Sequence, residues 1–227
     1  MELRKLSIIL LGLAVLGFAS SPVLAKKSQP TVNDDGMLLV KDTKMTTVYS
    51  DPDVNLGIYT SIMLVNVSVA FKKNWQRNQN SISRGASNKV KDSDMERIKE
   101  SIAQDFIGIF AAELRAGGYQ LVDKPGEFVL VVQPAIVDLD VIAPDVRGGS
   151  RSGTFSDSAG EMTLKLELFD SLTNDKIVTV RDRKRDYPGI AEWRTRGSNR
   201  TDSIRMMDAW ATAFTEALNE ARASVQK

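Results

Sequence analysis

The feature that most constrains the fold is a strand pattern followed by a turn and a second strand. Between Glu161 and Asp170 apolar and polar residues alternate, which is the period of a strand with one face in the core. Asn174-Asp175 then predicts a turn, and residues 177–187 predict the returning arm of an antiparallel hairpin. The expected core face carries Met162, Leu164, Leu166 and Leu168, and the expected outer face carries Thr163, Lys165 and Glu167.

Two long helices are expected, one before and one after the run of strands that ends with this hairpin. Ser93-Asp-Met-Glu96 fits a capping box that would begin the first, and Gly117-Gly118 would end it. Thr201 or Asp202 would cap the second. Gly108, inside the first helix, is interpreted as a point of close packing. The apolar stripes carry Ile98, Ile102, Phe106, Ile109, Phe110 and Leu114 in the first helix, and Ile204, Met207, Trp210, Phe214, Ala217, Leu218 and Ala221 in the second.

Further strands are predicted at 61–71, 119–122 and 128–141, with Pro134 a candidate break in the last. Residues 76–91 and 144–160 are predicted to be loops. In the first strand, the expected core face carries Met63, Val65, Val67, Val69 and Phe71. Runs of strands between two helices predict the α+β class, with a single mixed or mostly antiparallel sheet and two long helices packed on one face. We expect one domain over residues 37–227.

The first 25 residues have the composition of a secretory signal peptide. Arg4 and Lys5 precede an apolar run from Leu6 to Phe18, which is shorter than the ~20 residues of a membrane span. We expect cleavage after Ala25, a flexible leader over 26–36 and a soluble periplasmic protein without a transmembrane segment; an uncleaved anchor is the alternative. Because no cysteine follows the apolar run, no lipid anchor is expected.

The composition excludes several classes of function. The chain has no cysteine and no histidine, so it has no disulfide, and serine–histidine or cysteine–histidine hydrolysis is excluded. A transition-metal site is not expected, and no cofactor is expected. Removal of the signal peptide takes away Arg4, Lys5 and Glu2 and leaves 28 residues of each charge. A neutral chain argues against general nucleic-acid binding.

Several segments resemble a bacterial family catalogued as domain of unknown function 3313. They are Tyr49-Ser-Asp-Pro with Gly57-Ile-Tyr59, the segment at 112–123, the hairpin segment at 166–173 and the last helix around Trp210. The resemblance covers most of the mature chain. It implies an exported envelope protein, often lipid-anchored, with no assigned chemistry. Since this chain lacks the anchoring cysteine, a soluble periplasmic form is favoured.

The candidate site is a basic stretch on and after the second hairpin arm. Alternate residues of a strand lie ~6.6 Å apart on one face, so three arginines there could hold carboxylates or phosphates of a partner. The alternative is a solvated strand face, with Asp182 and Asp186 interleaved and Glu167 across the hairpin. The candidate partner-binding or anion-binding residues are Arg181, Arg183, Arg185, Trp193, Arg194 and Arg196.

Other motifs carry less weight. Asp138, Asp140 and Asp145 could supply oxygen ligands to calcium, but their spacing matches no calcium loop, and solvent exposure is favoured. The glycine-rich segment 148–153 lacks the Gly-Lys-Ser/Thr ending of a phosphate loop and is interpreted as a mobile loop. Trp75 is expected to pack half its surface against the edge of the domain rather than to stack on a ligand.

These observations favour a non-catalytic binding module of the bacterial cell envelope, whose partner is an envelope protein or an anionic envelope polymer. The alternative is a carrier or sensor for a small apolar or anionic ligand held between sheet and helices. A hydrolase built on two carboxylates is a third hypothesis, for which the sequence nominates no catalytic residue.

Overall fold

A computed structural model describes residues 29–82, 89–142, 144, 154–156, 160–186, 192–194 and 196–225. Residues 154–156, 186, 192–194 and 196–199 are described by their backbone alone. The predicted signal peptide, Asp145 and the glycine-rich segment 148–153 lie outside the described residues. The described part of the predicted leader is hydrogen-bonded to the domain: Val32 forms a bridge with Leu38, and the Pro30 carbonyl accepts from the Tyr49 hydroxyl at 2.9 Å.

Ten strands and three helices are described, with a short 3-10 helix at Leu56–Ile58. The helices are α1 (Trp75–Ile82), α2 (Asp92–Ala116) and α3 (Arg196–Val225). The strands are β1 (Leu38–Leu39), β2 (Thr47–Ser50), β3 (Ser61–Leu64), β4 (Ser68–Phe71), β5 (Gln120–Leu121), β6 (Val129–Val141), β7 (Thr154–Ser156), β8 (Gly160–Asp170), β9 (Lys176–Asp186) and β10 (Glu192–Arg194).

Eight of these strands form one mixed sheet in the order β1-β2-β9-β8-β6-β3-β5, with β4 also paired to β6. The strands from β1 to β6 along this order are antiparallel, and β3, β4 and β5 join by parallel pairing. β7 and β10 form a separate antiparallel pair. The predicted α+β class, with a mixed sheet and two long helices, is confirmed.

The core lies between one face of the sheet and helices α2 and α3. Leu164, Leu166 and Leu168 of β8 are at most 1% exposed, as the alternation predicts. They share the core with the predicted helix residues Phe106, Phe110, Leu114, Met207, Trp210 and Phe214. Lys165 is exposed as predicted, but Thr163, placed on the outer face by the sequence, is only 1% exposed.

The predicted strand 61–71 is two strands, β3 and β4, which both pair with β6 in parallel. Residues 65–67 belong to neither strand, although the Val65 amide still donates to the Val132 carbonyl at 3.1 Å, and they reset the alternation. As a result Ile62 is fully buried while Met63 is only partly buried, so the predicted core face was wrong for the first half. Val67 is buried, and Val69 and Phe71 are partly buried against the core, as expected for the second half.

Three further sequence predictions were wrong in detail. β6 runs through Pro134 without a break, with Pro134 opposite Leu166. Residues 75–82, predicted as loop after Trp75, form α1, while 83–88 lie outside the described residues. The 154–156 part of the predicted loop 144–160 is β7.

Both long helices begin earlier than predicted. α2 begins at Asp92, and the carboxylate that closes its first turn is Asp94, which accepts from the Lys91 amide at 3.1 Å, rather than Glu96. α2 ends before Gly117 and Gly118 as predicted, and Gly118 has a φ of +83°, which a glycine adopts at least cost. α3 begins at Arg196, a full turn before the predicted caps.

Gly108 is not a packing point. It is exposed in α2, and a Cβ added there would meet nothing within 4 Å. Because glycine weakens a helix interior by ~0.5–1 kcal/mol relative to alanine, Gly108→Ala should raise the free energy of unfolding by that amount. Urea denaturation measures it. Gly57→Ala is the contrasting variant, since its Cβ would clash with the Ala221 carbonyl oxygen and should destabilise the fold. Destabilisation by Gly108→Ala would contradict this assignment.

Candidate functional site

The basic hairpin arm β9 sends alternate side chains to opposite faces of the sheet. Arg181, Arg183 and Arg185 are exposed on one face, as the alternation predicts. Asp182 lies between the first two, is 6% exposed and turns toward the helices. The interleaved Asp182 is therefore not part of the solvated face that the alternative interpretation required, while the side chain of Asp186 lies outside the described residues.

Asp182 is the polar anchor between sheet and helices. One carboxylate oxygen accepts from the Trp210 indole N–H at 2.7 Å, and the other accepts from the Thr46 amide at 2.9 Å and from the Thr46 hydroxyl. A buried carboxylate is tolerated where its oxygens are hydrogen-bonded. This contact ties β9 to α3 and to the residues before β2. It also fixes which face its neighbours Arg181 and Arg183 occupy.

Lys165 and Arg181 lie directly opposite each other on β8 and β9, on the outer face of the sheet. Like charges in this position destabilise a sheet. Glu167, expected across from the arginines, instead pairs with Thr179 in register and forms an ion pair with Lys176 at 3.1 Å. Among the described residues, Arg181 has one ion pair, to Asp138 at 3.5 Å, and no carboxylate is paired with Lys165.

A groove of about 420 Å³ lies over this pair. Its floor is formed by neighbouring positions of β2, β9, β8, β6 and β4, and Gln29 and Asn33 of the N-terminal segment form part of its wall. The Asn33 amide also contacts the Thr179 hydroxyl at 3.5 Å, which ties this wall to the floor. Besides Lys165 and Arg181, the lining includes Thr47, Tyr49, Ser68, Gln133, Ala135, Glu167 and Thr179.

A second charge cluster surrounds Glu161, further along the same hairpin. Glu161 is 7% exposed and accepts from Lys72 at 3.0 Å and from Arg183, while Lys72 also reaches Asp140 at 3.3 Å. Burial opposes ionisation of Glu161, but the hydrogen bonds from Arg183 and Lys72 outweigh it and hold its pKa below the usual value. This cluster neutralises itself, so Arg183 is committed within the fold.

Of the six predicted site residues, the side chains of Arg181, Arg183 and Arg185 are described, and these three have different surroundings. Arg181 lines the groove, Arg183 binds Glu161 and Arg185 is exposed. Trp193 and Arg194 lie on β10, where Trp193 pairs in register with Phe155 of β7. Arg196 is the first residue of α3. The side chains of Trp193, Arg194 and Arg196 lie outside the described residues.

Sequence reasoning missed Lys165 and Thr179 as companions of Arg181. The alternation predicts that Lys165 points outward, but it does not by itself identify the residue that faces Lys165 across the hairpin. The turn predicted at Asn174-Asp175 would place Lys165 opposite Lys184, whereas the observed register is centred near residue 173 and places Lys165 opposite Arg181. The bulge between Leu168 and Phe169 does not disturb that part of the register.

The remaining candidate motifs have structural roles. Trp75 is 3% exposed, stacks on Phe71 at 4.2 Å and donates from its indole N–H to the Val141 carbonyl at 3.2 Å, so it packs more deeply than expected. Asp138 and Asp140 pair with Arg181 and Lys72. Within the described ranges, no cluster of three or more metal-ligating acidic side chains is found, and no helix is long and apolar enough to cross a membrane.

The model of a family described as protein of unknown function DUF3313 matches residues 30–214. This match covers most of the chain, and the chain belongs to that family. No curated protein sequence matches the chain.

The solved structures that match this chain have low sequence identity to it. A dodecamer of a PelC variant from Paraburkholderia phytofirmans matches with a TM-score of 0.39 and 10% identity, covering 74% of this chain and 96% of that chain. A second PelC dodecamer from the same organism has a TM-score of 0.37 and 12% identity, with the same coverage. A DUF4136 family protein from Bacteroides thetaiotaomicron has a TM-score of 0.35 and 10% identity, covering 82% and 98%.

Replacement of Asp182 tests its role as the anchor. Asp182→Ala leaves the buried indole N–H of Trp210 and the amide of Thr46 without their acceptor, and should lower the free energy of unfolding by about 3 kcal/mol. Asp182→Asn keeps one acceptor oxygen and should cost less. Urea denaturation followed by tryptophan fluorescence measures both. Equal stability of Asp182→Ala and the wild type would contradict the role.

Proposed function

We propose that this protein is an exported, non-catalytic binding module that holds an anionic saccharide chain of the cell envelope in the groove over Lys165 and Arg181. The observation that carries the proposal is the direct pairing of these two cations across β8 and β9 at the floor of that groove. Two like charges in register cost stability, and an anion between them would turn that repulsion into attraction.

The ion pair of Arg181 leaves it available to a ligand. Arg181 and Asp138 have side chains 55% and 52% exposed, and their separation of 3.5 Å is long. An exposed pair of this kind contributes ~0–1 kcal/mol. A carboxylate or phosphate that contacts both Arg181 and Lys165 would gain more than the pair with Asp138 loses.

The remaining lining favours a saccharide over an acidic protein surface. Thr47, Ser68, Gln133 and Thr179 present hydroxyl and amide groups beside the two cations. Such groups match the many hydroxyls of a sugar, while the guanidinium and ammonium match a carboxylate or phosphate on it. The volume of 420 Å³ falls within the usual range of ligand sites.

The same volume favours the small anionic ligand of a carrier as the second candidate. Its site would also be this groove, because the space between sheet and helices is filled by core side chains such as Phe106, Phe110 and Trp210, all 0% exposed.

The third hypothesis, a hydrolase built on two carboxylates, has less support. The described carboxyls Glu161 and Asp170 have lowered pKa values, whereas the general acid of a hydrolase needs a raised pKa.

A charge reversal in the groove tests the proposal. Titration of the purified domain with an oligogalacturonide should show binding that weakens as ionic strength rises, and a neutral maltodextrin of the same length should bind far more weakly. The double variant Lys165→Glu/Arg181→Glu should lose at least ~tenfold in affinity, because it removes two charge-assisted contacts. The matched control is Lys124→Glu, an exposed reversal away from the groove lining.

Three outcomes contradict the proposal. Equal affinity of the double variant and Lys124→Glu would remove the groove from the binding reaction. Equal binding of the charged and neutral oligosaccharides would remove the anion requirement. Binding of a monomeric uronate as tightly as the oligomer would favour the small-ligand carrier over the module for a polymer.

The proposal that the protein is exported depends on the first 25 residues, and it can be tested separately from the groove. We expect the cell-associated protein to begin at Lys26, because Val23 and Ala25 suit signal peptidase and the apolar run is too short to span a membrane. Osmotic-shock fractionation with intact-mass measurement checks both location and N-terminus. Protein recovered from the cytosol with residues 1–25 attached would overturn the export proposal without touching the groove.

A further inference from the structure

The turn end of the β8–β9 hairpin carries exposed apolar side chains on three adjoining loops. Ile58, Phe128 and Leu172 are 42%, 53% and 62% exposed. Ile58 precedes β3, Phe128 precedes β6 and Leu172 follows β8. Because the first residues of β3 and β6 and the last residues of β8 lie side by side, these side chains share one end of the molecule.

Hydrogen bonds hold these loops in place. The Phe128 carbonyl accepts from the amides of Thr60 at 3.1 Å and Ser61 at 3.2 Å. The Ser171 amide donates to the Val129 carbonyl at 3.2 Å, and the Ser171 hydroxyl donates to the Gly126 carbonyl at 2.8 Å. The loops are therefore hydrogen-bonded to one another. The exposed side chains cannot turn inward without breaking these hydrogen bonds.

The backbone at Phe128 is strained. Its φ is +58°, in the left-handed region that glycine and asparagine tolerate and a bulky aromatic residue rarely adopts. The other non-glycine residues with positive φ are all Asn or Asp among the described residues. A costly backbone that presents an exposed aromatic ring is typical of binding sites rather than of structural turns.

Acidic groups surround this apolar end. Asp53, Asp123, Glu127 and Asp175 are exposed on these loops and outnumber the exposed lysine there, Lys124. The backbone amide of Thr173, followed by that of Leu172, lowers the pKa of Asp170 against the opposing effect of burial, so this carboxylate stays charged. The Lys176 ammonium is engaged by Glu167 and Asp35 at 3.1 and 3.2 Å. Such a surface repels an anionic membrane and attracts a cationic partner.

We propose that this end, defined by Ile58, Phe128 and Leu172, is a docking surface for a protein segment in which Lys or Arg residues flank an apolar anchor. The anchor would cover the Phe128 ring, and the flanking cations would meet Asp53, Glu127 and Asp175. This surface lies at the turn end of the hairpin, apart from the groove, and its occupancy does not depend on the saccharide proposal.

Site-specific photocross-linking in intact cells tests the proposal. Benzoylphenylalanine at position 128 should give one dominant protein adduct, whose cross-linked peptide carries an apolar residue flanked by Lys or Arg. The same photoreactive residue at Ile82, which is 74% exposed on α1, is the control and should not give that adduct. Adducts with a second copy of this chain, with lipid, or equally from both positions would each overturn the proposal.

Two variants then separate binding from folding. The cross-linked peptide is synthesised, and its affinity is measured against the full mature chain. Phe128→Asn places a residue tolerant of positive φ in the strained position, so it should keep or raise the melting temperature while weakening binding about tenfold or more. Glu127→Lys should weaken binding and reduce its salt dependence. Unchanged affinity in Phe128→Asn, with the fold intact, would overturn the proposal.

Discussion

The packing of one apolar sheet face against α2 and α3 decides which side chains of the β8–β9 hairpin face outward. In a strand the side-chain period is two, so burial of Leu164 and Leu166 commits Lys165 to the opposite face. On β9 the same rule buries Val180 and Asp182 and exposes Arg181. A register shift of one residue would bring Lys165 and Arg181 into the core, which the free energy of burying charges forbids. The cation pair in the groove is therefore a consequence of how the core is packed.

Asp182 fixes the orientation of α3 on the sheet, which apolar packing alone does not determine. Apolar packing is not directional, so leucines stay buried through many small rotations of a helix on a sheet. The hydrogen bonds that Asp182 accepts from the Trp210 indole and the Thr46 amide are directional and permit one orientation. The two contacts fix α3 and the entry to β2 relative to β9. Because β2 supplies Thr47 and Tyr49 to the groove, the polar anchor on the covered face also determines the shape of the open face.

Patterns that depend on neighbouring residues were predicted well from the sequence. The β8–β9 hairpin, the stripe of α2 that contains Phe106 and Phe110, and the buried Trp210 all follow from periods of two or 3.6 residues. The break at residues 65–67 was missed because it depends on how β3 and β4 each pair with β6. That strand lies more than fifty positions away in the sequence. α1 was missed because its polar composition resembles a loop, while its position depends on Trp75 packing against Phe71. Of the candidate site, the outward direction of the arginines could be predicted, but not which of them a carboxylate had already neutralised.

Each of the two proposed surfaces carries exposed charge that has no ion pair among the described residues. Arg183 and Lys72 meet a nearly buried Glu161, so their charge stabilises the fold. Lys165 has no such carboxylate among the described residues, although the sequence holds almost equal numbers of acidic and basic residues. Among the described residues, Asp53, Glu127 and Asp175 are exposed without an ion pair at the turn end, five residues or ~17 Å along β9 from Arg181. The two partners that we propose, a polyanion on the sheet and a cationic segment at its end, would therefore each meet charge of the opposite sign that has no ion pair within the described part of the chain.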